Sequence, residues 1–178
     1  MNTRLAYRLD RMVSWDAALC VRCNRMSRLT GVRDFFRVVS RLGDGVFWYG
    51  TMLGMLLVER SAAVMPVLHM VLTGLLCTVL YKWLKRRTLR PRPYEVHPDI
   101  VASGKALDQF SFPSGHTLHA FAFSIIALYY YPALAGLMLP FTALVAASRP
   151  ILGLHYPTDV LAGAAIGTTV AYFSLLLA

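Results

Sequence analysis

Charged and apolar residues are segregated along this chain into long blocks. From Gln109 to Ser148 there is no Asp, Glu, Lys or Arg. Roughly 20 apolar residues in a helix cross a hydrocarbon core, so this block is too long for one crossing. Pro132, following Tyr129-Tyr130-Tyr131, marks a turn, and the pattern predicts a helical hairpin of 114–131 and 134–147. Pro140 in the second arm can kink it. Apolar blocks at 45–58 and 62–83 flank a tight turn at Glu59-Arg60-Ser61, and a last block covers 158–177. Trp48 and Tyr49 suit the aromatic belt at a membrane interface. The expectation is an all-α, polytopic integral membrane helical bundle of about five transmembrane helices.

The blocks are joined by two very different kinds of polar sequence. Residues 1–43 carry nine arginines with Asp10, Asp16 and Asp34. Leu9, Met12, Val13, Trp15, Leu19, Phe35, Phe36, Val38 and Val39 are interleaved among them, which predicts amphipathic helices lying at the membrane surface. Arg22, Arg25 and Arg28 argue against a crossing; if residues 9–30 did cross, the spans would number six. No apolar h-region follows the arginines, so the segment does not read as a signal peptide. RLGDG at 41–45 divides this N-terminal segment, 1–43, from a transmembrane domain, 44–178. The second polar stretch, 84–113, contains Pro91, Pro93 and Pro98, which exclude a continuous helix. With five spans, this loop, the helix entrance at 111–116 and the loop at 148–158 share one membrane face. The hairpin turn near 132 lies on the other.

Composition narrows the choice of partner. The 178 residues are 57% hydrophobic and 15% charged, with a net charge of +9 and a mean hydropathy of +0.53. The apolar spans argue against nucleic acid. A basic membrane protein instead suits anionic headgroups or a phosphorylated substrate. Three cysteines make no disulfide framework. The CVRC pair, Cys20 and Cys23, lacks the two further ligands of a zinc site, and Cys77 reads as packing.

Three segments on the shared face carry chemistry: KRRTLRPRP (85–93), PSGH (113–116) and SRPILGLHYPTD (148–159). Lys85, Arg92 and Arg149 offer several donors to an oxyanion, and the guanidinium fork matches phosphate. Ser114 and Gly115 open a helix, where unpaired N–H groups favour an anion. His116 and His155 are titratable, and Asp159 falls one helical turn after His155. A carboxylate on one ring nitrogen leaves the other as a lone pair, suited to attack as a nucleophile. A second histidine can serve a leaving group as acid. Together these residues describe a phosphoryl-transfer site with no obligatory metal.

These motifs resemble the signature of the type 2 phosphatidic acid phosphatase (PAP2) superfamily: KxxxxxxRP, PSGH and SRxxxxxHxxxD. Lys85 to Pro93, Pro113 to His116, and Ser148-Arg149 with His155 and Asp159 match it in full and in order. The resemblance covers 45–178. It implies that His155 attacks phosphorus to form a phosphohistidine, and that Asp159 orients His155. It also implies that His116 protonates the leaving oxygen and then activates water. Lys85, Arg92, Ser114, Gly115 and Arg149 would bind the phosphoryl oxygens, with no cofactor or metal. Soluble vanadium haloperoxidases share such a site; a small membrane-embedded chain argues against that activity.

Other residues carry weaker expectations. His119 follows His116 by three positions and reads as a supporting or packing residue. Arg86, Arg87 and Arg90 read as steering anionic headgroups, and His69 as an interhelical hydrogen-bonding group. Gly163 and Gly167 form a GxxxG that allows close packing within the bundle, or between two copies if the protein is a homodimer rather than a monomer. Of 18 Lys and Arg residues, 17 lie on the site face and only Arg60 opposite; the positive-inside rule would place that face in the cytoplasm. The resemblance implies the opposite, a site on the periplasmic face of a bacterial cytoplasmic membrane. The implied substrate is a lipid phosphate or diphosphate, with undecaprenyl diphosphate first. Phosphatidylglycerophosphate, phosphatidic acid and lipid A phosphate are the alternatives. An anion transporter or channel is the competing class, supported by His69 and the basic mouth.

Overall fold

The computed structural model describes residues 3–177, with the backbone alone for 3–12. Leu9, Met12 and Asp10 therefore fall outside the described side chains. The helices are α1 (Thr3–Asn24), α2 (Thr30–Arg41), α3 (Phe47–Glu59), α4 (Val64–Thr88), α5 (Pro93–Val96), α6 (Gly115–Tyr130), α7 (Ala135–Ile151) and α8 (Pro157–Leu175). No strand occurs among the described residues. Helices long and apolar enough to cross a membrane occur within Thr30–Val96, Pro132–Ile151 and Pro157–Leu175. The chain is a membrane protein, and α3, α4, α6, α7 and α8 correspond to the five expected spans.

Helix α6 is the hub, packed on α8, α4 and α7. Its inner face is small or aliphatic: Leu118, Ala120, Ala122 and Ile126 are fully buried. Phe123 meets Trp48 of α3 at 5.4 Å between ring centroids, and Phe47 stacks on Phe141 of α7 at 3.6 Å. Turns at Arg60–Ala63 and Pro132–Leu134 close the two helical hairpins on the face away from the polar loops. Near that face His69 bonds Tyr130 Oη at 3.1 Å and Ser174 Oγ at 2.9 Å, joining α4, α6 and α8 as an interhelical group.

The closest approach is between α6 and α8. A Cβ on Gly163 would stand 2.5 Å from the Ser114 carbonyl oxygen, and one on Gly167 would overlap the Leu118 carbonyl. The GxxxG face is thus spent inside the bundle, not on a second copy. The Ser114 N–H also donates to the Asp159 carbonyl at 3.0 Å, so the first turns of α6 and α8 are joined by backbone.

The N-terminal segment behaves differently from a helix that simply floats on a surface. In α1, Val13, Trp15 and Leu19 are exposed while Asp16, Cys20 and Asn24, at four-residue spacing, are buried. Asn24 bonds the carbonyls of Val101 and Ile151, both at 3.0 Å, and the Val101 N–H at 2.9 Å. Ser27 Oγ accepts from Ser103 Oγ at 3.3 Å. Residues 16–27 are therefore bonded to the site-face loops, with the apolar side outward. The chain then kinks through the π-turn Leu42–Val46, where Gly45 takes φ 141°, a value that favours glycine.

Gly167→Val should lower the unfolding midpoint in detergent by about 5 °C or more, the scale of an overpacked contact. Gly54→Ala, with nothing within 4 Å of its added Cβ, should leave the midpoint unchanged. Equal midpoints for both would refute the close-contact reading, and differential scanning fluorimetry measures them.

Candidate active site

Lys85, Arg92, Gly115, His116, Arg149 and His155 come together on the walls of one cavity of about 300 Å³. Each arrives by a different local device. Lys85 sits in the last turn of α4, whose C-terminus is closed by Leu89 in the left-handed region at φ 50°. Arg92 precedes Pro93 at the start of α5, its N–H bonded to Glu95 Oε2 at 2.8 Å. Arg149 lies in the last turn of α7, and the left-handed Gly153 (φ 73°) turns the chain back to present His155. Gly115 and His116 occupy the first turn of α6.

The cations differ in how they are satisfied. Lys85 Nζ donates to Asp108 Oδ1 at 2.7 Å and to the Phe110 carbonyl at 2.5 Å. Arg92 donates from Nη2 to the same Asp108 oxygen at 2.8 Å and from Nη1 to the Leu154 carbonyl at 2.7 Å. One carboxylate oxygen is therefore clasped by two of the three motif cations. Burial alone would raise the Asp108 carboxyl, but the Lys85 bond and the charges of Lys85 and Arg92 outweigh this and hold it below its ordinary range. Arg149, 1% exposed, donates from Nη1 to Ser40 Oγ at 3.0 Å. It makes no ion pair among the described residues.

His155 is 3% exposed. Its Nε2 faces Arg92 Nη1 at 3.4 Å, and its Nδ1 lies 3.6 Å from Asp159 Oδ2. Burial first, then the charges of Arg92, Arg149 and Lys85, hold the ring well below the ordinary histidine range, hence neutral. Asp159 is fully buried, beside the cavity but not on its wall. Its Oδ2 accepts the Tyr156 N–H at 2.9 Å and its Oδ1 accepts Arg90 Nη1 at 2.6 Å. Among the described residues, the buried side-chain nitrogens without a partner are Trp48 Nε1, Arg149 Nε and His155 Nδ1, and all three residues line this cavity.

Two expectations from the sequence need correction. Ser114 was expected to offer its N–H to an anion. That N–H is bonded to the Asp159 carbonyl, its Oγ caps α6 by accepting the Thr117 N–H at 3.5 Å and meets Thr117 Oγ1 at 2.9 Å, and the residue does not line the cavity. Ser114 is the joint between α6 and α8, and Gly115 and His116 are the helix-start residues at the wall. Arg90 does not reach toward headgroups. It donates to Asp159, to Thr158 Oγ1 at 2.9 Å and to Asp16 Oδ2 at 2.7 Å, with its guanidinium 4.1 Å over the Tyr156 ring.

Three residues gain a place that the sequence did not reveal. Asp16 of α1 holds Arg90 and accepts the Thr158 N–H at 3.0 Å. Asp108 fills the Lys85–Arg92 clasp. Asp44, in the turn before α3, accepts a hydrogen bond from His116 Nε2. The only written sign of Asp44 was its glycine-flanked turn, GDG. His119 bonds the Gly115 carbonyl through Nδ1 at 2.8 Å and faces Thr78 and the Gly74 carbonyl through Nε2, which ties α6 to α4.

The family model of the PAP2 superfamily matches residues 63–178. The chain belongs to the PAP2 superfamily. Among PAP2 relatives, the decaprenylphosphoryl-5-phosphoribose phosphatase of Mycobacterium tuberculosis is 38% identical over 89 residues, 49% of this chain and 47% of the relative. The undecaprenyl-diphosphatase of Sulfolobus acidocaldarius is 27% identical over 154 residues, 85% of this chain and 72% of the relative. A lipid A 1-phosphatase of Rhizobium etli is 34% identical over 113 residues, 61% of this chain and 45% of the relative. The chain thus spans about half the length of the first curated relative, 47%. Aquifex aeolicus LpxE superposes with a TM-score of 0.78 at 26% identity, covering 89% of this chain and 93% of that one. The PAP2-type phosphatidylglycerolphosphate phosphatase of Bacillus subtilis shares the fold, with a TM-score of 0.68 at 23% identity over 94% of this chain and 86% of that one. Asp16 and Asp44 both lie before the stretch matched by the PAP2 model.

The depressed His155 gives a signed pH dependence. The unfolded chain takes up a proton at this ring below about pH 6.5, whereas the folded chain does not until a lower pH. Stability is therefore full above that value and declines as pH falls through it. The unfolding midpoint of the wild type should drop between pH 7 and pH 5, and that of His155→Gln should drop less. Parallel declines in a thermal-shift series would refute the assignment.

Proposed function

We propose that the chain is a membrane-embedded phosphatase that removes phosphate from a lipid phosphate or diphosphate, with undecaprenyl diphosphate as the first candidate. The observation that carries this reading is the two-sided character of one cavity. At one end stand the cations and both histidines. At the other, Trp48, Met52, Val71, Leu75 and Phe123 continue the wall between α3, α4 and α6. Val71, Leu75 and the adjoining Tyr49 are exposed on the outside of the bundle, on the side of the hydrocarbon. A phosphate fits the first end, and a lipid tail the second. Phosphatidylglycerophosphate, phosphatidic acid and lipid A phosphate fit the same division.

In this reading the incoming phosphoryl group displaces Asp108 and is held by Lys85, Arg92, Arg149 and the Gly115 N–H. These groups are already in place where charge develops on the transferring oxygens. His155 Nε2, neutral and beside Arg92, attacks phosphorus. Asp159 sits at its Nδ1, where it favours the tautomer with a lone pair on Nε2 and stabilises charge on the ring. Asp159 is fixed for that role by Arg90, which Asp16 holds in turn. His116 protonates the leaving oxygen and then takes a proton from the water that releases phosphate.

We place the protein in the bacterial cytoplasmic membrane with this site on the periplasmic face. The count of basic residues opposes that side, but Lys85, Arg92 and Arg149 line the site, while Arg90 and Arg37 are tied internally to Asp16, Asp159, Asp34 and the Ser103 carbonyl. These five do not orient the chain freely.

Purified protein should release inorganic phosphate from a panel of lipid phosphates and diphosphates, and His155→Ala should abolish the release. No release by the wild type from any of them ends the phosphatase reading; an active His155→Ala ends the nucleophile assignment. For sidedness, Gln109→Cys lies on the exposed loop. In intact cells, beyond the signal of the unsubstituted chain, it should react with a membrane-impermeant maleimide. Labelling only after the membrane is broken would put the site in the cytoplasm.

A further inference from the structure

The stretch from Ser40 at the end of α2 to Asp44 in the π-turn touches the site twice. Asp44 accepts the hydrogen bond from His116 Nε2. Ser40, one helical turn earlier, accepts from Arg149 Nη1 at 3.0 Å. Between them Gly43 is buried against α6 and α7: a Cβ there would meet Val145 at 3.1 Å and His116 Cδ2 at 3.8 Å. The missing side chain lets the turn lie flat on the imidazole, and the Gly45 kink then carries the chain away into α3. Asp44 also lines the cavity, with its side chain 34% exposed.

We infer that Asp44 is the positioning carboxylate of His116 and that it decides which ring nitrogen works. With Nε2–H given to Asp44, the exchangeable site is Nδ1, which has no hydrogen-bond partner among the described residues. This mirrors His155, where Nδ1 faces a carboxylate and Nε2 faces Arg92. Resting on the phosphatase reading, the first step runs as follows. The His155 Nε2–P bond forms and the P–O bond to the leaving group breaks. The electron pair stays on that oxygen, which takes the proton from His116 Nδ1, leaving a neutral ring bonded to Asp44. In the second step a water oxygen bonds phosphorus, its proton passes to His116 Nδ1, and the Nε2–P bond breaks. Asp44 stabilises the imidazolium at the start and the end of the cycle.

The demand for that proton depends on the leaving group, and this separates positioning from general damage. Leaving-group release in the first turnover should be followed by rapid quench in detergent micelles, with hexadecyl phosphate, which expels an alkoxide, and hexadecyl diphosphate, which expels a phosphate monoester. Asp44→Asn should slow release from hexadecyl phosphate by roughly 100-fold, the range of general acid catalysis. It should slow release from the diphosphate by less than about tenfold, with KM close to the wild type for both. Asp44→Glu should recover part of the loss on hexadecyl phosphate, and it decides the matter if the Asn variant fails to fold. Equal losses on both substrates, or a lower KM with undiminished release, would overturn the inference; the second would make Asp44 a competitor for the ring. Inactivity of the wild type on both, and on every lipid of the phosphate-release panel, would overturn the phosphatase reading itself, which keeps the two failures apart.

Discussion

The site depends first on two helices being allowed to touch at the backbone. Gly163 and Gly167 remove the side chains that would hold α8 off α6, and the Ser114 N–H then reaches the Asp159 carbonyl. His116 is two residues from one end of that bond and His155 four residues from the other. His155 stands on the short connection between α7 and α8, and the joined helix starts hold that connection against His116. The contact also explains why Ser114 is engaged in capping and joining. It sits where the two helix starts must be locked.

A second constraint is electrical. Lys85, Arg92 and Arg149 are all nearly buried on one face of the bundle, and like charges so placed repel unless something compensates. In the described structure Asp108 sets one negative charge against the first two, while Arg149 is left with a hydroxyl and an unpartnered Nε. The cradle is thus built at a deficit of negative charge that an arriving phosphate would fill. Asp16 and Asp159, by contrast, clamp Arg90 from two sides and make a closed unit.

Much of this was legible along the chain. The five spans appear where the charge-free blocks place them; α4 runs further into the basic loop than expected, because Lys85, Arg86 and Arg87 suit a helix C-terminus. The three motifs converge, since helical parity puts their loops on one face. The sequence could not reveal the carboxylates opposite them. Asp16, Asp44 and Asp108 stand 74, 72 and 23 residues from Arg90, His116 and Lys85, and no periodicity relates such pairs. Arg90 was misjudged for the same reason: its partners come from α1 and α8, and a basic run by itself looks solvated. The amphipathic pattern of α1 did not say which side meets the protein: its apolar side faces outward and its polar side faces the protein.

The cavity is lined by exposed residues of two unlike kinds of segment, Leu75 and Tyr49 on the apolar helices and Lys105 and Leu107 on the polar loop. On the phosphatase reading, its two products would part company inside it. The lipid would diffuse away within the plane of the bilayer, never needing to be wetted, while the phosphate would leave through the aqueous mouth. Traffic would then flow through the site without the two products contending for one door.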